Sequence, residues 1–150
     1  MAVFVVRHAA AGDRDAWEGD DRLRPLSKKG WKQARAIAVQ LQPLGVRRLI
    51  SSPYVRCVQS LEPLAERLGV KVEADERLAE GAGLAVLDLV REAGDGAALC
   101  THGDVVADLL GHLARQGVVR GTLEAEKGST WLLDLQGERI IGARYLRPPG

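Results

Sequence analysis

The chain is poor in aromatic residues, at 4% of its 150 positions, so any core must be built from Ala, Val, Leu and Ile. It has two cysteines, Cys57 and Cys100. That is too few for a disulfide framework, and their separation excludes a CxxC zinc or redox site. They read as buried reduced thiols, with a single long-range bridge left open. No apolar run approaches the ~18–20 residues of a membrane span. The longest early run, Ala2 to Val6, stops at Arg7-His8 and has no basic segment before it, unlike a secretory signal. The cytoplasm is therefore the expected location. Charge of one sign is also missing. Twenty-one basic and 20 acidic side chains leave a formal net charge of +1, which gives no reason to expect nucleic acid or a membrane surface as partner. A local basic pocket is compatible with that balance. At about 100–200 residues per domain, residues 1–150 are expected to form one domain.

What is present is an alternation of short apolar runs and helical patterns. Ala2–Val6 is continuous in apolar residues, as in a strand covered on both faces. A long polar segment follows, to about Leu26, and loops of that length are usually functional or mobile. Ser27 suits a helix N-cap, Ala34, Ala38 and Leu41 fall at helical spacing, and Gly45 suits a stop. Arg48–Ser51 predicts a second strand. Pro53 opens a second helix that continues past Pro63 to Gly69. Val70–Ala74 predicts a third strand and Leu84–Glu92 a third helix. Ala97–Thr101 predicts a fourth strand, and Val105, Val106, Leu109, Leu110 and Leu113 form an amphipathic stripe after it. Thr130–Leu135 and Arg139–Tyr145 flank Gln136-Gly137 as a hairpin. The pattern predicts an α/β protein: a three-layer α/β/α sandwich with a mostly parallel central sheet and a C-terminal antiparallel hairpin.

In such sheets ligands bind beyond the carboxyl ends of the strands. Four post-strand positions are therefore informative: Arg7-His8; Ser51-Ser52-Pro53 with Arg56 just beyond; Arg77-Leu78-Ala79-Glu80; and Thr101-His102-Gly103. Each residue alone has a bland structural reading, but their convergence on one edge suits phosphoryl transfer. Guanidinium forks match phosphate oxygens, and fixed cations stabilise charge on the equatorial oxygens in the transition state. An unprotonated imidazole can attack phosphorus to give a phosphohistidine that water hydrolyses. Neighbouring cations favour that unprotonated form. A carboxylic acid beside the phosphate can protonate the leaving group.

The same residues carry a family resemblance. Val5-Val6-Arg7-His8-Ala9, Arg24-Pro25-Leu26-Ser27-x-x-Gly30-x-x-Gln33-Ala34, Ser51-Ser52-Pro53-x-x-Arg56-x-x-Gln59-Ser60 and Thr101-His102-Gly103 resemble the histidine phosphatase (phosphoglycerate mutase-like) superfamily, in its order, over roughly residues 3–146. The resemblance implies a three-layer fold, no cofactor or metal, and His8 as the phosphorylated nucleophile. It implies that Arg7, Arg56 and His102 surround the phosphoryl group. Glu80 matches the family's acid position, with Glu76 as the fallback. The chain is most similar to the compact SixA-like phosphohistidine phosphatase branch. Arg56-Cys57-x-Gln59-x-x-Glu62-Pro63-Leu64-Ala65 and Lys127-Gly128-Ser129-Thr130-Trp131 also resemble the phosphatase domain of Nudix–histidine phosphatase fusions. Ala9 departs from the glycine that many members carry, and its methyl group bears on how closely the backbone approaches the phosphate.

Other signals are weaker. Gly94-Asp95-Gly96 lacks the third glycine of a dinucleotide fingerprint and reads as a turn. The acidic run from Asp13 to Asp21 fails the EF-hand spacing and reads as a solvated, mobile loop. Ser51, Ser52 and His102 lack the glycines of a nucleophile elbow. His112 reads as structural or surface. Arg24 and Lys127 can extend a positive pocket, though a salt-bridge or surface role is the default for each. The expected function is a metal-independent phosphatase acting on phosphohistidine or a broad range of phosphomonoesters. The expected partner is a phosphorylated protein or a small-molecule phosphate. The alternatives are a nucleotide or sugar phosphate phosphatase and, from another class, a non-catalytic phosphate-binding module. A mutase is disfavoured, because the short chain leaves little for a lid and an open pocket admits water. The oligomeric state is not legible.

Overall fold

In a computed structural model, which describes residues 1–121 and 123–150, the first strand β1 (Ala2–Arg7) lies inside the sheet and is covered on both faces. Val3 and Val5 point to one apolar cluster and Phe4 and Val6 to another, the alternation of an extended chain. The second cluster includes residues of α1 (Lys28–Leu41) and α2 (Val55–Leu68). The first includes residues of α3 (Ala85–Glu92) and α4 (Gly103–Arg115). The sheet adds β2 (Arg48–Ser51), β3 (Val72–Ala74), β4 (Ala97–Thr101), β5 (Thr130–Gln136) and β6 (Arg139–Leu146), in the order β3-β2-β4-β1-β5-β6. The first four strands run parallel, and β5 and β6 form the antiparallel hairpin. This is the α/β/α sandwich that the sequence predicts. Among the described residues, no helix is long and apolar enough to cross a membrane.

Three local differences have physical causes. Pro53 lies outside α2, because Tyr54 takes the N-cap position and its N–H donates to Ser52 Oγ (3.2 Å). Val70 does not join β3, because its N–H closes the end of α2 on Ala65 O (3.2 Å) around a left-handed Gly69. The segment between β1 and α1 is only partly solvated. It contains a short 3-10 helix, Asp21–Leu23, and its base is tied down. Ala10 N donates to Gln33 Oε1 (2.8 Å) and Leu26 N to Gln59 Oε1 (2.9 Å). The two glutamines of the motifs are thus clamps for this loop.

The Ser27 side chain caps α1 as expected, accepting from Gly30 N (3.1 Å). Gly30 has a further role. A Cβ there would lie 1.8 Å from Ala10 O, so only glycine lets α1 abut the backbone just after β1. Gly30→Ala should therefore destabilise the fold by about 3 kcal/mol, the upper end for overpacking. Thermal unfolding followed by circular dichroism should show a Tm lowered by several degrees.

Candidate active site

The chain leaving β1 crosses to β2 on one side, and the chain leaving β4 crosses to β5 on the other, so β1 and β4 bracket the topological switch point. Their last residues pair, Arg7 with Thr101, and His8 N donates to Thr101 O (3.0 Å). The next side chains, His8 and His102, meet with ring centroids 5.4 Å apart.

His8 is 6% exposed. Burial is the largest influence on it, and the charges of His102, Arg56 and Arg7 add to it. Against the opposing hydrogen bond to Ala9 O, they lower its pKa to about 3. The ring is therefore neutral near pH 7. Its Nδ1 lies 2.8 Å from the Ala9 carbonyl and must donate there, which leaves the lone pair on Nε2. The extra methyl of Ala9 is accommodated against Leu26 and Ala34, while Ala9 N donates to Ser60 Oγ (2.9 Å).

The cationic groups are held by the fold rather than by each other. Arg7 Nη1 donates to Ala125 O (2.6 Å). A Cβ on Gly103 would lie 2.8 Å from the Arg7 guanidinium carbon, so the glycine after His102 makes room for Arg7. Arg56 is fully buried, with Nη1 donating to Asp21 O (2.9 Å) and Nη2 to Asp21 Oδ2 (3.1 Å). His102 Nε2 lies 2.8 Å from Ser52 Oγ. Ser52 Oγ also accepts from Tyr54 N, and when its own hydroxyl donates to Nε2 the proton of a neutral His102 lies on Nδ1. The ring of Tyr54 packs edge-on to His102 at 4.5 Å and faces the Arg56 guanidinium at 4.8 Å. Arg7 Nε, Arg56 Nε and His102 Nδ1 are all buried and have no hydrogen-bond partner among the described residues. Buried nitrogens of this kind, gathered at one strand edge, suit an acceptor supplied from outside the chain.

Arg7, His8, Glu80 and His102 line one cavity of about 520 Å³. Arg56 does not line it, but its Nη2 lies 3.7 Å from Glu80 Oε2. Glu76 stands outside, exposed and paired with Arg22 (3.0 Å). Arg77 is held by Asp75 and Glu92, also away from the cavity. Arg24 is buried and paired with Asp21 (2.9 Å), and Lys127 lines the cavity. Both cysteines are free and buried, and Cys57 Sγ lies 3.5 Å from His102 Nε2. A larger hollow of about 810 Å³, lined by His112, Arg91 and Arg139, lies at the other end of the sheet and holds none of the post-strand residues. Among the described residues, no His, Cys, Asp or Glu cluster is arranged to hold a metal ion.

One residue beside the site, Asp21, has no signal in the sequence that marks it. The acidic run predicts a solvated loop, yet the Asp21 carboxylate bridges Arg24 and Arg56. Burial alone would raise its pKa, but hydrogen bonds and charge from those arginines outweigh it and hold the carboxyl below its usual range. Ser52, one of the post-strand residues, serves as a hydrogen-bond support for His102.

The model of the histidine phosphatase superfamily (branch 1) matches residues 3–86, more than half of the chain, and the chain belongs to that superfamily. It is 38% identical to an 8-oxo-(d)GTP phosphatase of Mycolicibacterium smegmatis over 98% of its own length. It spans 48% of the length of that relative and 38% of the phosphoglycerate mutase relatives that it also matches. Among solved structures, a SixA protein from Agrobacterium tumefaciens superposes with a TM-score of 0.73 at 22% identity, covering 98% of this chain and 97% of that one. The protein histidine phosphatase SixA with bound tungstate gives 0.73 at 20% identity, covering 97% and 94%. These likenesses place the fold.

The environment of His8 has a measurable consequence. Between about pH 3 and 6.5, an unfolded chain binds a proton at His8 that the folded chain excludes. This residue therefore makes the fold less stable as the pH falls through that window. NMR titration of the ring nitrogens should find His8 neutral, with its proton on Nδ1, from pH 8 down to pH 5. A midpoint near 6.5 would contradict the assignment.

Proposed function

We propose that this chain is a metal-independent phosphatase that works through a covalent phosphohistidine on His8. The observation that carries the reading is a neutral His8 with its proton on Nδ1, set among three buried nitrogens of Arg7, Arg56 and His102 that have no partner among the described residues. In this reading residues 1–150 act as one catalytic domain.

His8 Nε2 attacks phosphorus, and the bond to the leaving oxygen breaks with its electron pair going to that oxygen. Glu80 supplies the proton. Water then attacks the phosphohistidine, Glu80 accepts a proton from it, and inorganic phosphate leaves with His8 restored. Arg7, Arg56 and His102 hold the equatorial oxygens, where charge develops. The fold supports them at fixed positions, so little reorganisation accompanies the reaction. A non-catalytic phosphate binder has no need of an unprotonated imidazole in that place.

The substrate is a phosphohistidine or a phosphomonoester. A second reading, a small-molecule phosphatase, is favoured by the relative named 8-oxo-(d)GTP phosphatase, which aligns with nearly the whole chain. A panel of phosphohistidine protein, nucleotides, sugar phosphates and an aryl phosphate, compared by kcat/KM, separates the two.

His8→Ala should abolish turnover, and rapid acid-free quenching of the wild type should trap an acid-labile, base-stable phosphoenzyme absent from the variant. Retained turnover in His8→Ala would sink the mechanism. Arg56→Ala should lower kcat by about 10²–10³-fold, as for loss of one preorganised donor. Glu80→Gln should suppress ester hydrolysis, whose alkoxide leaving group needs a proton. It should spare phosphohistidine, whose leaving nitrogen is protonated more readily. Equal loss on both substrates counts against the acid role.

A further inference from the structure

We infer that the cavity contains a second anion subsite, built by Lys127 and Arg14 beside His8, for a phosphate or carboxylate carried by the substrate close to its scissile phosphoryl group. The inference rests on the phosphatase reading of His8 and extends it to the class of substrate.

Lys127 and Arg14 line the same cavity as His8. The backbone next to Lys127 is locked onto the nucleophile segment. Gly128 N lies 3.0 Å from Arg7 O and 3.1 Å from His8 O, and Arg7 N donates to Ser129 O (3.0 Å). Arg7 Nη1 clasps Ala125 O just before it. The backbone that carries Lys127 is therefore held at the cavity wall by bonds to the segment that carries His8.

The charge arrangement shows what it lacks there. Arg24 and Arg56 are paired with Asp21, and Arg14 with Glu80 (2.8 Å). Among the described residues, no carboxylate pairs with Lys127. Lys127 is an exposed residue, yet desolvation at the cavity wall, followed by the charges of Arg7, Arg24, Arg14 and Arg56, lowers its pKa. A cation set among four others with no counter-ion contributes nothing favourable to folding, and it has a use once an anion enters. The proposed phosphoryl site takes up Arg7, Arg56 and His102, and a cavity of about 520 Å³ is larger than one phosphoryl group requires. Lys127 then remains for a second anion. Arg14 is 61% exposed and can exchange Glu80 for that anion.

For a substrate with two linked phosphates the chemistry balances without Glu80. The Nε2 lone pair forms the bond to the terminal phosphorus, and the bridging P–O bond breaks with its electrons on the departing phosphate. Lys127 then faces the charge that develops on that group. For a carboxylate-bearing phosphoester, Lys127 fixes the carboxylate, and Glu80 still protonates the leaving oxygen.

The test separates binding from turnover. In the His8→Ala protein, calorimetric affinities are measured for inorganic phosphate, pyrophosphate and phosphoglycolate. At least one of the two dianionic-plus-anion probes should bind about tenfold or more tightly than phosphate. That margin should collapse in His8→Ala/Lys127→Met and return in His8→Ala/Lys127→Arg. Pyrophosphate alone showing the margin identifies a phosphate subsite, and phosphoglycolate alone identifies a carboxylate subsite. No margin, or one that Lys127→Met leaves intact, overturns the inference. Phosphoenzyme trapping on the wild type is run beside it. Phosphoenzyme without a margin removes the subsite and keeps the nucleophile. A margin without phosphoenzyme does the reverse.

Discussion

The parallel ladder between β1 and β4 holds the site together. Its last rung pairs Arg7 with Thr101, so the residues that follow, His8 and His102, leave the sheet side by side. Both strands are fully covered by helices, and neither can slip in register without turning apolar side chains out of their clusters. Packing of Val, Leu and Ala therefore sets the spacing of the two imidazoles. The pleat also sends Arg7 toward the segment before β5, where Ala125 O receives it.

The second constraint is charge. The edge gathers Arg7, Arg14, Arg24, Arg56 and Lys127 around two histidines, in a chain whose formal net charge is only +1. Asp21 and Glu80 offset part of this locally. Asp21 has a structural share of the task, because its carboxylate and its own carbonyl both bind the Arg56 guanidinium. A fully buried arginine needs such partners, since an unpaired buried charge is strongly destabilising. The cost of assembling cations is thus met by loop residues, leaving one nitrogen of Arg56 and one of Arg7 unpartnered.

Much of this was legible from sequence. The fold class, the strand ends and the positions of His8, Arg7, His102 and Glu80 relative to one edge all follow from apolar periodicity and the rule that ligands sit past strand termini. The signature residues also acquire physical reasons. Gly30 admits a carbonyl, Gly103 admits a guanidinium, and Gln33 and Gln59 pin a loop. What escaped were relations that depend on the path of a loop. Asp21 looks like any residue of an acidic run until the short helix at Asp21–Leu23 turns it inward. Likewise Lys127 looks like a surface lysine until β5 is seen to begin against β1. Glu76 and Glu80, four apart, differ because the intervening chain carries only the second into the cavity.

The clasp between Arg7 and Ala125 joins residues 118 positions apart. β1 lies between β4 and β5, so the earliest strand of the chain finds neither of its sheet neighbours until more than 90 further residues have been added. Long-range pairing of this kind slows folding, because chain closure precedes the contacts that reward it. During synthesis the segment that carries His8 therefore emerges early and stays without its surroundings. Its electrostatic environment, and with it the neutral imidazole, appears only once Arg56 and His102 have closed around it. The order of assembly makes the chemistry of His8 a property of the finished sheet, and an incomplete chain carries an ordinary histidine.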